Sequence, residues 1–143
     1  MTNMQLTIWL WRKTSVNPLI PFPQFIILIN DFFYKIVVSD KSPLIQVGLR
    51  TLFGCDKRFA LVATTVDGDQ FIKEIGQKDF DIGIIGWEMP YLNGRGVLKA
   101  LANINRTTPK IIVYTSNVAP DVPRQVMRLG GAGFCQKSES PER

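Results

Sequence analysis

The residues of this chain that could do chemistry follow short apolar runs. Ser39 and Asp40 come after one, Gly86, Trp87 and Glu88 close another, Thr115 and Ser116 a third, and Gln136 and Lys137 a fourth. They offer one carboxylate, one hydroxyl and one ammonium: Asp40, Thr115 and Lys137. No nucleophile–base pair can be assembled from that set, so turnover is not expected. The chain has no His, which removes His triads, His general bases and His-containing zinc sites. Its two cysteines, Cys55 and Cys135, stand 80 positions apart, so there is no CxxC metal or redox motif. They are expected to be reduced core residues. The glycine clusters Gly94-Arg95-Gly96 and Gly130-Gly131-Ala132-Gly133 are not phosphate loops. The first lacks a third glycine in strand–turn–helix context, and the second has no Gly-Lys-Ser/Thr after it.

Such residues need a scaffold, and the pattern from residue 34 onward supplies one. The apolar runs predict strands at 34–38, 59–65, 81–86, 110–115 and 133–135. Helical spacing fills the gaps between them. Ser42-Pro43 opens a helix with Leu44, Ile45, Gly48, Leu49, Leu52 and Phe53 inward. Asp67-Gly68-Asp69 opens one carrying Phe71, Ile72 and Ile75. Asn93-Gly94 precedes one carrying Val97, Leu98 and Leu101. Pro120 to Leu129 forms one with Val122, Val126 and Leu129 on a face. Five strands alternating with four helices predict an α/β fold, a doubly wound, flavodoxin-like parallel sheet with right-handed crossovers. In such a sheet function sits beyond the carboxyl ends of the strands, where the chemical residues fall. Ser140-Pro141 repeats the start chemistry of the first helix with no helix after it, so the fold is expected to be truncated before a fifth helix.

The 143 residues carry 45% hydrophobic and 20% charged residues, an ordinary balance for one domain. The net charge of +5 is scattered, without a basic run or an aromatic-interleaved stripe. Direct binding of nucleic acid is therefore not expected. Residues 1–33 differ from the rest. They hold the apolar stretches 8–11 and 25–29 and only Arg12, Lys13 and Asp31 as charges. Neither stretch approaches the roughly 20 residues of a membrane span. Arg12 and Lys13 follow the first stretch, whereas a secretory signal puts its basic residues ahead. Residues 1–33 are read as an apolar extension: an anchor, a partner-binding tail, or sequence upstream of the true start. Residues 34–143 are the domain, and cysteine usage points to the cytoplasm.

Residues 34–143 closely resemble the receiver domain of bacterial two-component response regulators. The resemblance rests on Val38-Ser39-Asp40-Lys41-Ser42-Pro43-Leu44, Gly48-Leu49-Arg50, Trp87-Glu88-Met89-Pro90 with Asn93-Gly94, Tyr114-Thr115-Ser116, and Gly130 through Lys137. Gly48-Leu49-Arg50 and the closing Lys-Ser-Glu-Ser-Pro-Glu run look like the subclass with a LuxR-type helix-turn-helix output. In that family two acids end the first strand and a phosphate-accepting aspartate ends the third. A hydroxyl ends the fourth strand, and the fifth carries an aromatic and ends in a lysine. By that resemblance Asp40 is the second acid, Thr115 the hydroxyl, Phe134 the switch aromatic and Lys137 the lysine.

Two positions depart from the pattern. Ser39 replaces the first acid, and Gly86 stands at the phosphoacceptor position. Phosphoryl transfer here needs a carboxylate nucleophile and a divalent metal. Gly86 has nothing to attack with, and Asp40 alone is a poor cage for an ion that wants carboxylates. Metal, cofactor and phosphorylation are all expected to be absent. Glu88, two residues on, should point elsewhere. Asp40 and Lys137 are expected to pair with each other. Asp40 as a mere loop cap and Lys137 as a solvated lysine remain the plainer readings. Phe134 is a core aromatic or a switch, and Trp87 a loop aromatic or a partner anchor. Gly86 is also read as a backbone position that a Cβ disfavours.

The expected function is a pseudo-receiver that regulates an output domain, missing from this chain, through a protein partner or a homodimer. The alternative is a flavodoxin-like small-ligand sensor with its pocket at Gly86.

Overall fold

This computed structural model describes residues 33–137, apart from 106 and 118. The expectations for the 1–32 extension and for the chain after Lys137 lie outside the described residues. Along the chain run β1 (Tyr34–Ser39), α1 (Pro43–Gly54), β2 (Phe59–Thr65), α2 (Gly68–Gln77) and β3 (Ile82–Ile85). Then come α3 (Gly94–Ala102), β4 (Lys110–Thr115), α4 (Asp121–Arg128) and β5 (Gly133–Gln136). All strand pairs are parallel and the sheet order is β2-β1-β3-β4-β5. The fold is the five-stranded, flavodoxin-like α/β sheet that the alternating pattern predicts. The strand bounds move by a residue at some ends: β3 stops short of Gly86, while β1 and β5 each run one residue longer.

Three of the four described helices start where the sequence supplies a capping side chain; α4 follows Pro120, which makes no such bond. Asp67 accepts from the Gln70 N–H at 2.8 Å, and Asn93 from the Gly96 N–H at 2.9 Å. Ser42 holds α1 more loosely, its Oγ accepting from the Ile45 N–H at 3.5 Å. Gly130 ends α4 with a φ of +90°, a left-handed turn that only glycine takes without penalty.

Alternation along the strands sorts side chains to two faces. Val37, Ile85, Ile111 and Val113 point to one, where they bury against Phe71 and Ile75 of α2, Val97, Leu98 and Leu101 of α3, and Val122 and Val126 of α4. Ile36, Val38 and Ile84 point to the other, which α1 covers with half-buried Leu49 and Phe53. The expected inner face of α1 is corrected here. Leu44 is 80% and Leu52 63% exposed, Gly48 is exposed, and no residue of the helix is fully buried. The 3.6-residue spacing is real, but among the described residues α1 packs on β1 and β2 at one edge of the sheet and has no helix beside it. Cys55 is corrected too: it caps α1 and is exposed, whereas Cys135 is half-buried in β5, and both are free thiols. No described helix is long and apolar enough to cross a membrane.

Candidate functional site

The carboxyl ends of β1, β3, β4 and β5 come together at one end of the sheet. Parallel register puts Ser39 beside Ile85, and Thr115 beside Gln136. The residues that follow are thus delivered to a common crevice. Asp40 lies at its floor, 3% exposed. Both carboxylate oxygens are used. Oδ1 accepts from the Ser42 N–H at 2.8 Å, and Oδ2 takes the Lys137 ammonium at 2.7 Å. Asp40 therefore caps the loop into α1 and also makes the expected pair with Lys137, which is not the solvated lysine of the plainer reading. Lys137 is anchored by its backbone N–H to the Thr115 carbonyl at 2.9 Å. Its Nζ lies 5.7 Å from the Tyr114 ring centre.

Gly86 sits against this pair. Its N–H bonds to the Ser39 carbonyl at 2.9 Å. A Cβ placed on Gly86 would meet Asp40 Oδ2 at 3.3 Å and Met89 Cγ at 3.4 Å. Positive φ among described residues occurs only at Tyr91 and Gly130. The expected backbone constraint at Gly86 is thus corrected: the tightness is one of space. The same contacts correct the idea of an open ligand pocket at Gly86, since Asp40 and Met89 fill that side. A shallow depression of about 570 Å³ does lie nearby, lined by Lys41, Trp87, Glu88, Met89, Pro90, Asn93 and Asn117. It lies over the loop after β3.

Ser39 is fully buried. Its hydroxyl donates toward the Asp67 carbonyl at 3.0 Å and lies 3.2 Å from Met89 Sδ. Thr115 is buried and its Oγ1 accepts from the Asn117 N–H at 3.1 Å. Glu88 is exposed and turned outward, 3.2 Å from Asn117 Nδ2 and 3.9 Å from the Lys41 ammonium. Trp87 is half-buried on the main core, as is Phe134, which pairs with Val113 in the sheet.

Two residues that shape the site carried no signal in the sequence. Gln46 of α1 donates from Nε2 to the carbonyls of Asp40 at 2.8 Å and Thr65 at 2.9 Å, tying helix to strand ends. Met89 reads as one apolar residue of a loop, yet its side chain closes the crevice beside Ser39.

Comparison with known proteins agrees with the fold. The model of the response regulator receiver domain matches residues 36–143. A probable transcriptional regulatory protein, SgaR of Hyphomicrobium methylovorum, is 30% identical over 108 residues, covering 76% of this chain and 51% of that protein. The response regulator UvrY of Escherichia coli is 28% identical over 110 residues, covering 76% and 49%. The chain thus spans about half the length of these curated relatives. Among solved structures, the signal receiver domain of the putative response regulator NarL from Mycobacterium tuberculosis superposes with a TM-score of 0.71 at 21% identity, over 76% of this chain and 87% of that one. With the parallel sheet, the crevice at its carboxyl end and a family match over most of its length, the chain belongs to the response regulator receiver domain family.

Proposed function

We propose that this receiver works without aspartyl phosphorylation, as a cytoplasmic binding module that regulates an output domain, one that binds DNA, through protein–protein contacts. The observation that carries the reading is the state of the crevice. At the position where the resemblance puts the phosphate-accepting aspartate stands Gly86, and the neighbouring Asp40 is already neutralised by Lys137 at 2.7 Å.

The divalent metal that the family implies does not fit these residues. Asp40 spends its oxygens on Lys137 and the Ser42 N–H, and Ser39 offers a hydroxyl bonded elsewhere. Glu88 pairs outward. Among the described residues no three His, Cys, Asp or Glu side chains gather as a metal site would require. Displacing a bonded ammonium to admit a reluctantly dehydrating ion has no compensating carboxylate.

A thermal-shift titration with Mg²⁺ and beryllofluoride tests this. The wild-type melting temperature should stay flat. Gly86→Asp should respond weakly and Gly86→Asp with Ser39→Asp clearly more, because the second carboxylate lowers the cost of partly dehydrating the ion. A saturable Mg²⁺-dependent stabilisation of the wild type would overturn the reading. The output domain and its DNA are read from the resemblance to LuxR-type regulators and from SgaR, a relative named as a probable transcriptional regulatory protein, of which this chain covers 51%.

A further inference from the structure

We propose that Gly86 is the gap through which Lys137 reaches Asp40, and that the resulting bridge is a permanent latch holding the β5 end of the sheet to β1 and α1. This deepens the phosphorylation-independent reading and rests on it: the latch supplies by a fixed ion pair the order that a reversible phosphate would otherwise impose.

The topology sets the problem. Lys137 follows β5, at one edge, and Asp40 follows β1, with β3 and β4 between them. The lysine must cross the ends of two strands, and the last one it meets is β3, which ends beside Gly86. The oxygen that receives its ammonium, Asp40 Oδ2, is the atom nearest to a Cβ placed on Gly86, at 3.3 Å. Any longer side chain there would compete for the same space. Met89 Cγ borders the other side at 3.4 Å.

The ends of the bridge are tied down. The Asp40 side chain is 4% exposed and that of Lys137 20%. Asp40 Oδ1 holds the Ser42 N–H, and the Asp40 carbonyl holds Gln46 of α1. On the far side the Lys137 N–H holds Thr115, whose hydroxyl fixes the turn at Asn117. One salt bridge therefore joins α1, β1, β4, β5 and the loop after β4. An ion pair so shielded from water is screened little by salt. Removing one partner leaves the other charge buried and unpaired.

The test is a pair of double-mutant cycles on the full chain, with thermal melting and amide hydrogen exchange as readouts. Asp40→Asn and Lys137→Met should each lower the melting temperature by roughly 5–10 °C, discounted for the partial exposure of the lysine. The double variant should lose little more than either single one. In both, exchange should speed up at Thr115–Asn117 and in β5 as well as at the Asp40 loop. In the second cycle Gly86→Val should cost several degrees in the wild-type background and clearly less beside Lys137→Ala, which empties the space the lysine stem takes. Gly86→Ala serves as the mild control if valine prevents folding, and its smaller cost should shrink in the same background. Additive effects in either cycle, or exchange changes confined to the mutated strand, would overturn the latch. Phosphate uptake by the wild type would overturn the parent reading instead, so the two failures are told apart.

Discussion

The two faces of the sheet are built from the same strands and are packed very differently. On one face α2, α3 and α4 bury Phe71, Val97, Leu98 and Val126 almost completely against Val37, Ile85 and Val113. On the other, α1 is the one helix among the described residues, with Ile112 and Tyr114 half-buried and Leu44, Val47 and Leu52 turned outward. Alternation gives each strand apolar residues on both sides, as a sheet covered on both faces requires. The difference arises from how many helices the described residues place on each side. Among the described residues the enclosed apolar side chains are therefore concentrated on the three-helix face, while the α1 face holds a few central ones and an aromatic edge.

The largest contrast to test is in the centre of each face. Phe71→Ala should cost about 3–5 kcal/mol in urea unfolding, since the ring is wholly enclosed and packs edge-on to Phe80 at 5.8 Å. Ile84→Ala on the α1 face should cost about 2–3 kcal/mol, because the thinner cover can settle into the space. Equal losses would erase the asymmetry.

Alkaline titration probes the aromatic edge of the α1 face. Tyr34 packs beside Phe59, and burial, with the nearby Asp81 carboxylate, pushes its hydroxyl from 10.0 up to about 12. The unfolded chain gives up this proton first, so stability should fall as pH rises from 10 towards 12. Tyr34→Phe should remove that part of the decline, as equilibrium unfolding across the range would show. Parallel curves for the two proteins would mean that the ring is not buried as described.

Helix starts sharpen the comparison further. Asp67→Ala should lose about 1–2 kcal/mol, because its bond at the start of α2 is short and the residue is 3% exposed. Ser42→Ala at the start of α1 should lose only about 0.5 kcal/mol, given the longer bond. Last and smallest, Leu52→Ala should change stability by less than about 0.5 kcal/mol. A loss of a few kcal/mol at Leu52 would show that α1 is covered in solution.

Much of this was legible in the residues. Apolar runs, helical spacing and, for α1 to α3, capping residues located the nine elements of the described residues, because strand period and cap chemistry are local properties. The convergence of Asp40, Thr115 and Lys137 followed from the rule that parallel strands deliver their carboxyl ends together. The exposure of Leu44, Leu52 and Cys55 was not legible. Periodicity tells which side chains share a face of a helix, but not whether anything covers the whole of that face. Gln46 and Met89 were missed for a related reason. Their roles come from long-range contacts, Gln46 with Thr65 and Met89 with Ser39, and neither residue type announces them. The tight space at Gly86 likewise needed the positions of its neighbours.

On the proposed function, an internal ion pair stands in place of phosphoryl chemistry in the crevice between β1 and β3. The most direct measurement is intact-mass spectrometry of the full chain after incubation with acetyl phosphate and Mg²⁺. The account predicts no added phosphate on the wild type, however long the incubation. A stoichiometric, acid-labile phosphate on the chain would contradict it.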